Sequence, residues 1–313
     1  MKVIVSLVCF TVSILGAFGQ PTTDKKVSDF PGSFSFYVIG DWGRDGKHGQ
    51  REVSTAMNQT TGVIAPKFII STGDNFYPDG VKTTDDKQWK TSFEDIYNGA
   101  GLQCPWYVVL GNHDYHSNPQ AEVEYTKNSK RWTMPARYFH KNIPMGSDPS
   151  LTIDFIFIDT SPLEDPYYSE EYKQGLLTQD TTRQLHWIDS LLKKSTARWK
   201  FVIGHHHVYT AGKRVSEVAY LRRHLERILI KNKVDIYFCG HEHSLQHIKP
   251  ENGVTHYFVS GSGSEVTPTH KLPNTMFAAS QSGFMIVSVS SDVIHIQAVN
   301  MHGEKIYATA IKK

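Results

Sequence analysis

The sequence predicts an α/β fold: two packed mixed β-sheets flanked by helices. Three observations carry this expectation. Five aromatic or β-branched runs each end in Gly followed by a polar cluster. Amphipathic helical patterns lie between those runs. A tail of short strand-like segments joined by tight turns follows them. Near-continuous apolar runs read as strands buried on both faces, and strands alternating with helices indicate a layered α/β arrangement.

The five runs are FSFYVIGDWG (34–43), KFIISTGDNFY (67–77), PWYVVLGNHD (105–114), KFVIGHHH (200–207) and DIYFCGHEH (235–243). Helical patterns are predicted over 49–65, 85–98, 178–194 and 217–232. In the third, Leu185, Ile188, Leu191 and Leu192 share a face, and Asp180 or Thr181 is placed to cap its start. In the fourth, Leu221, Leu225, Ile228 and Leu229 recur at helical spacing. The tail segments 255–264, 283–291, 293–301 and 305–311 are expected to supply a second sheet. No linker composition interrupts the chain, so one domain is expected over residues 30–313.

Composition narrows the class further. The chain has 313 residues, 39% of them hydrophobic, which is ample for a large core. A net charge of +2 gives no push toward nucleic acid. At the start, Lys2 precedes an apolar run, and the small residues Ala17 and Gly19 precede Gln20. This is the pattern of a secretory signal peptide over residues 1–19, and the run is short against the ~20 residues of a membrane span. Secreted or lysosomal residence, with no membrane association after cleavage, is therefore expected. Cleavage would discard Cys9 and leave Cys104 and Cys239, both expected to be free and buried. Asn58-Gln59-Thr60 is an N-glycosylation sequon, with Asn58 as the acceptor.

The strand-end clusters carry the chemistry. Ligands of open α/β sheets sit beyond the carboxyl ends of strands. Any one cluster alone could be an ordinary turn, because Asp and Asn favour turns. Five together, each bearing Asp, Asn or His, favour a metal site. The candidates are Asp41, Asp74, Tyr77, Asn112, His113, His205, His241 and His243. Imidazoles suit transition metals, whereas carboxylate, amide oxygen and phenolate suit harder ions. The set is too large for one four-coordinate zinc. It matches two metals roughly 3.5–4 Å apart with a bridging carboxylate.

The ordered set GDWG, GDNFY, GNHD, GHHH and GHEH resembles the calcineurin-like metallophosphoesterases, whose fold is a four-layer αββα sandwich. Within them it resembles the small secreted purple, or tartrate-resistant, acid phosphatases. Most metallophosphoesterases open with Asp-x-His. Here Trp42 and Gly43 follow Asp41, and Tyr77, three residues after Asp74, marks the purple type. The resemblance implies a binuclear centre of Fe(III) and a divalent metal (iron, zinc or manganese). Asp41, Tyr77 and His243 would hold the iron, Asn112, His205 and His241 the second ion, and Asp74 would bridge. It further implies hydrolysis of phosphate monoesters, small or on phosphoproteins, by a metal-bound hydroxide. His113 would stand beside the second metal and give its proton to the leaving alcohol. The alternatives are a phosphodiesterase or nucleotidase with two divalent metals, and an inactive phosphatase-like scaffold or receptor.

Other residues are assigned less directly. Asn112, His113 and His206 are candidates to touch substrate. Asp114 is a candidate to orient His113 or, equally, a turn residue; Asn75 is a candidate to fix the loop between Asp74 and Tyr77, and His247 is read as packing. Mammalian members carry Glu-His where this chain has Lys213 and Arg214, and a cysteine pair around residues 161–178 that it lacks. Lys213 and Arg214 are read as a solvated loop, with steering of phosphorylated substrates as the rival.

Overall fold

The computed structural model describes residues 24–146, 148–169 and 173–313. The signal peptide expected over 1–19 lies outside them, as does part of the 161–178 loop. The strands are β1 (Phe34–Ile39), β2 (Ile69–Ser71), β3 (Trp106–Val108), β4 (Trp132–Thr133), β5 (Phe139–Met145), β6 (Asp148–Phe157) and β7 (Trp199–Ile203). They continue as β8 (Ile236–Cys239), β9 (Leu245–Ile248), β10 (His256–Ser260), β11 (Thr275–Ala279), β12 (Gly283–Val289), β13 (Val293–Asn300) and β14 (Lys305–Lys312). The helices are α1 (Gln50–Thr60), α2 (Pro119–Tyr125), α3 (Lys173–Leu176), α4 (Thr181–Lys194) and α5 (Val218–Lys231).

Two seven-stranded sheets form, in the orders β14-β13-β12-β1-β2-β3-β4 and β11-β9-β10-β8-β7-β6-β5. In the first, β1 to β4 run parallel and β12 lies antiparallel on β1. In the second, β6, β7, β8 and β10 run parallel. The two-sheet expectation holds, but the partition differs from the one expected. The five Gly-ended strands divide between the sheets, three and two, and the tail divides as well. β10 joins β8, whereas β12 to β14 extend the sheet begun by β1. A strand's local pattern says that it is buried on both faces, not which neighbour it pairs with.

Alternation along each strand builds the layers. In β1, Phe36 points between the sheets and meets Phe155, Phe201 and Phe238 at ring-centroid distances of 5.3, 6.1 and 6.4 Å. Its neighbour Tyr37 faces the other way and donates to the Ile64 carbonyl just past α1, at 2.6 Å. In β8, Phe238 belongs to the inter-sheet core. Tyr237 packs with Ile188 and Leu192 of α4 and with Leu221, Leu225 and Leu229 of α5 on the outer face. Asp180 caps α4, accepting the Arg183 N–H at 2.8 Å. The third and fourth predicted helices therefore form nearly as drawn. The second contracts to a single π-helical stretch, Trp89–Glu94. Its Trp89 and Phe93 sink into an aromatic cluster with Phe76, Trp106 and Trp132, and that packing outweighs regular helix geometry.

Cys104 and Cys239 are both free, Cys239 fully buried and Cys104 partly exposed. The sequon lies inside α1, where Asn58 packs against Gly99 and Thr60 is buried with its hydroxyl on the Ala56 carbonyl. Among the described residues, no helix is long and apolar enough to cross a membrane.

Candidate metal centre

The carboxyl ends of β1, β2, β3, β7 and β8 converge on one point between the two sheets. Asp41, Asp74 and His241 each sit in the left-handed backbone region, at φ of 59°, 50° and 65°. Such conformations are uncommon for residues with a Cβ and persist only where the surroundings enforce them. The turns are packed too tightly for side chains at all five strand-end glycines. A Cβ on Gly111 would come within 2.2 Å of Asp74 Oδ1, and one on Gly240 within 2.2 Å of Asp41 Oδ2.

Two donor clusters result, one of Asp41, Asp74 and His243 and one of His205, His206 and His241, all buried. In the first, the Tyr77 hydroxyl lies 3.2 Å from Asp41 Oδ1, 2.8 Å from Asp74 Oδ2 and 3.1 Å from His243 Nε2. In the second, His205 Nε2 lies 3.2 Å from Asn112 Oδ1 and 3.4 Å from Asp74 Oδ1. The two oxygens of Asp74 thus face different clusters.

Hydrogen bonds set the imidazole tautomers. A carbonyl only accepts, so His205 carries its proton on Nδ1, which donates to the Thr72 carbonyl at 2.8 Å. Nε2 is left to face Asn112 and Asp74. The Glu217 carboxylate lies 3.2 Å from His241 Nε2, which leaves Nδ1 of that ring free to bind a metal. Carboxylates and carbonyls orient metal-binding histidines in this way. His113 donates its backbone N–H to Asp74 Oδ1 at 2.9 Å and its Nδ1–H to the Pro78 carbonyl at 2.6 Å, so a transferable proton would sit on Nε2. His206 is engaged on both nitrogens, with Thr160 Oγ1 at 2.8 Å and Tyr167 OH at 2.9 Å. It lines a cavity of about 460 Å³ together with Glu164, Tyr167, Glu217, Tyr220 and His241.

The donor set fits a pair of cations. Burial and the nearby Asp41 and Asp74 push the Tyr77 phenol well above its ordinary value, so it ionises only against a strong positive charge. Burial alone would lower His205, but Asp74 and Asp41 outweigh it and raise the ring to about 9. A proton there supplies the positive charge that the buried carboxylates call for. Burial, aided by His206 and His205, keeps His241 well below its usual range and therefore neutral, as a ligand must be. Among the described residues, His243 Nδ1 is buried without a hydrogen-bond partner.

Some neighbouring residues follow expectation and others depart from it. Asp114 does not reach for the His113 ring. Its carboxylate accepts the backbone N–H groups of Gly111 at 2.8 Å, Asn75 at 2.9 Å and Phe76 at 3.2 Å. Asn75 does fix its loop, donating to the Val109 carbonyl and to Glu122 while accepting from Ser71. Arg214 is not simply solvated, because its backbone N–H and guanidinium both bond the fully buried Glu242. His247 stacks on Phe258 at 4.2 Å, away from the site. Thr160 is an addition. Its hydroxyl oxygen accepts the backbone N–H groups of His205 and His206, fixing the turn that presents them. It stands just past β6, in DFIFIDT (154–160), a strand-end cluster like the other five but without glycine.

Residues 34–245 match the family model described as calcineurin-like phosphoesterase, and the two-sheet sandwich with polar strand ends is of that class. Relatives narrow it. The chain is 41% identical to "Purple acid phosphatase 7" of Arabidopsis thaliana over 80% of this chain and 75% of that one. It is 30% identical to human "Tartrate-resistant acid phosphatase type 5" over 89% and 90% of the two chains. The chain belongs to the purple acid phosphatases within the calcineurin-like phosphoesterases, and is thereby a hydrolase of the phosphatase class. Among solved structures it is similar to "GAP50 the anchor in the inner membrane complex of Plasmodium", with a TM-score of 0.77, 26% identity and coverage of 90% and 89%.

Proposed function

We propose that the protein hydrolyses phosphate monoesters, small or protein-borne, at acid pH with a binuclear centre of Fe(III) and divalent iron, zinc or manganese. The observation that carries this is the position of Asp74 between two donor clusters, one of which contains Tyr77. Asp41, Tyr77 and His243 would hold the ferric ion, Asn112, His205 and His241 would hold the divalent one, and Asp74 stands between the two sets. When bound, the metal pair supplies the Lewis acidity that activates water and neutralises the phosphoryl group.

The remaining work falls to side chains. The Pro78 carbonyl orients His113 so that Nε2 faces outward and can give a proton to the leaving alcohol. Thr160 and the Thr72 carbonyl hold His205 before a substrate arrives, so geometry is set in advance. His206, with both nitrogens bonded, forms a wall of the substrate cavity. The expected apolar leader over residues 1–19 favours the secretory pathway for the unit spanning 30–313.

A scaffold role has one observation in its favour, the similarity to GAP50, described as the anchor in the inner membrane complex of Plasmodium. The full donor set weighs against it, and Tyr77 weighs against two ordinary divalent metals. The test is metal analysis with a visible spectrum on purified protein, assayed on an aryl phosphate across acid pH. About one iron and one further metal, a purple colour and acid activity are expected. Colourless protein at full metal load would sink the iron–phenolate reading, and protein that takes up no metal would favour the scaffold.

A further inference from the structure

Arg44 stands just after the Asp41-Trp42-Gly43 turn, outside the ligand pattern. Its guanidinium carbon lies 3.6 Å from the centroid of the Tyr77 ring. Several bonds build this position. The Arg44 N–H donates to Gln50 Oε1 at 3.0 Å. Its Nε donates to Ser264 Oγ at 3.1 Å, and its Nη2 pairs with Glu265 at 3.0 Å. Tyr77 is tied to the same turn, donating its N–H to the Gly43 carbonyl at 2.8 Å. The Arg44 side chain is only 17% exposed, so water screens its charge weakly.

We propose that Arg44 is a positioning residue that holds a fixed positive charge over the Tyr77 phenolate and thereby sets the energy of its electronic coupling to the ferric ion. This rests on the iron–phenolate reading above. A cation over an aromatic face stabilises the electron-rich ring. The guanidinium sits against the ring itself, whereas a metal at the phenol oxygen lies beyond the ring edge. The charge therefore lowers the donor level more than the acceptor level. Moving an electron from phenolate to iron then needs more energy than it would without Arg44.

The visible absorption maximum of the metal-loaded protein reads this directly. Arg44→Gln is expected to move the maximum to longer wavelength by roughly tens of nanometres at constant iron content. Arg44→Lys keeps the charge but loses the planar stack, so a smaller move in the same direction is expected. Glu265→Gln removes the carboxylate that offsets the Arg44 charge while Ser264 still holds Nε, so a smaller shift to shorter wavelength is expected. That variant keeps the inference testable if Arg44→Gln folds poorly. A purely structural role for Arg44 would change iron retention against a chelator without moving the maximum. Coloured wild type with unshifted Arg44 and Glu265 variants overturns this inference alone. Colourless wild type at full metal load overturns it together with the reading beneath it.

Discussion

The Asp114 carboxylate accepts the backbone N–H of Asn75 at 2.9 Å, although His113 is its immediate neighbour in the chain. It also takes the N–H groups of Gly111 and Phe76, so one buried side chain pins the loop that carries Asn112 to the loop that carries Asp74 and Tyr77.

That arrangement makes Asp114 a structural clamp. Asp114→Asn would turn an NH2 group toward at least one of those N–H donors. A loss of roughly 2–4 kcal/mol of stability is expected in urea unfolding. Metal affinity should fall with it, because both loops carry proposed ligands. Unchanged stability with a changed pH profile would instead favour a role through His113.

Tyr77→Phe removes the one hydroxyl that meets Asp41, Asp74 and His243 together. Under the proposed function the visible band disappears while the ring still packs. Absorption spectra at matched metal content decide it, and a retained band would place the colour elsewhere.

Lys213 and Arg214 are expected to behave differently. Arg214 neutralises the fully buried Glu242, so Arg214→Gln should cost about 1–3 kcal/mol. Lys213 is exposed, and Lys213→Ala should leave stability unchanged. If Lys213 steers phosphorylated substrates, its removal also flattens the salt dependence of kcat/KM. The exposed position favours no change.

Acid stability should depend on a histidine pair far from the site. His247 Nε2 lies 2.9 Å from His256 Nδ1, and His247 Nδ1 lies 2.7 Å from the Tyr307 hydroxyl. Burial, helped by Lys249, pushes His256 down to about 4, and burial holds His247 well below its ordinary value. A depressed histidine means that the unfolded chain binds the proton more readily. Stability is therefore complete above about 6.5 and falls as pH drops toward 4. Allowing for its partial exposure, His256 accounts for on the order of 2 kcal/mol. His256→Gln, which can still bond His247, should flatten the decline between neutral and acid pH in urea titrations.

Asp180→Ala tests a simpler feature. It removes the cap on the Arg183 N–H and should lower stability by about 1 kcal/mol without altering activity. Thermal melting and an aryl phosphate assay on the same sample separate the two effects.

Much of the candidate site was legible because its motifs are local. A strand ending in Gly and a polar residue can be read within ten positions, and Tyr77 lies three residues from Asp74. Thr160 escaped because its strand end has no glycine and its task is to bond backbone 45 and 46 positions away. Asp114 stayed open between orienting His113 and holding a turn for a related reason. Adjacency in sequence pointed to His113, but the left-handed turn at Asp74 brings the Asn75 and Phe76 N–H groups onto its carboxylate.

By itself, then, the sequence determined the layered α/β class, the types of candidate metal-binding side chain and their order along the chain. Strand period, glycine and side-chain chemistry are properties of short segments. Only the tertiary structure decided how the Gly-ended strands divide between two sheets, and that Asp74 turns an oxygen toward each donor cluster. It also seated Arg44 over the Tyr77 ring. Those relationships join residues as distant as Asp41 and His241, 200 positions apart. They depend on which strands pair and how two sheets pack, and no local pattern encodes either.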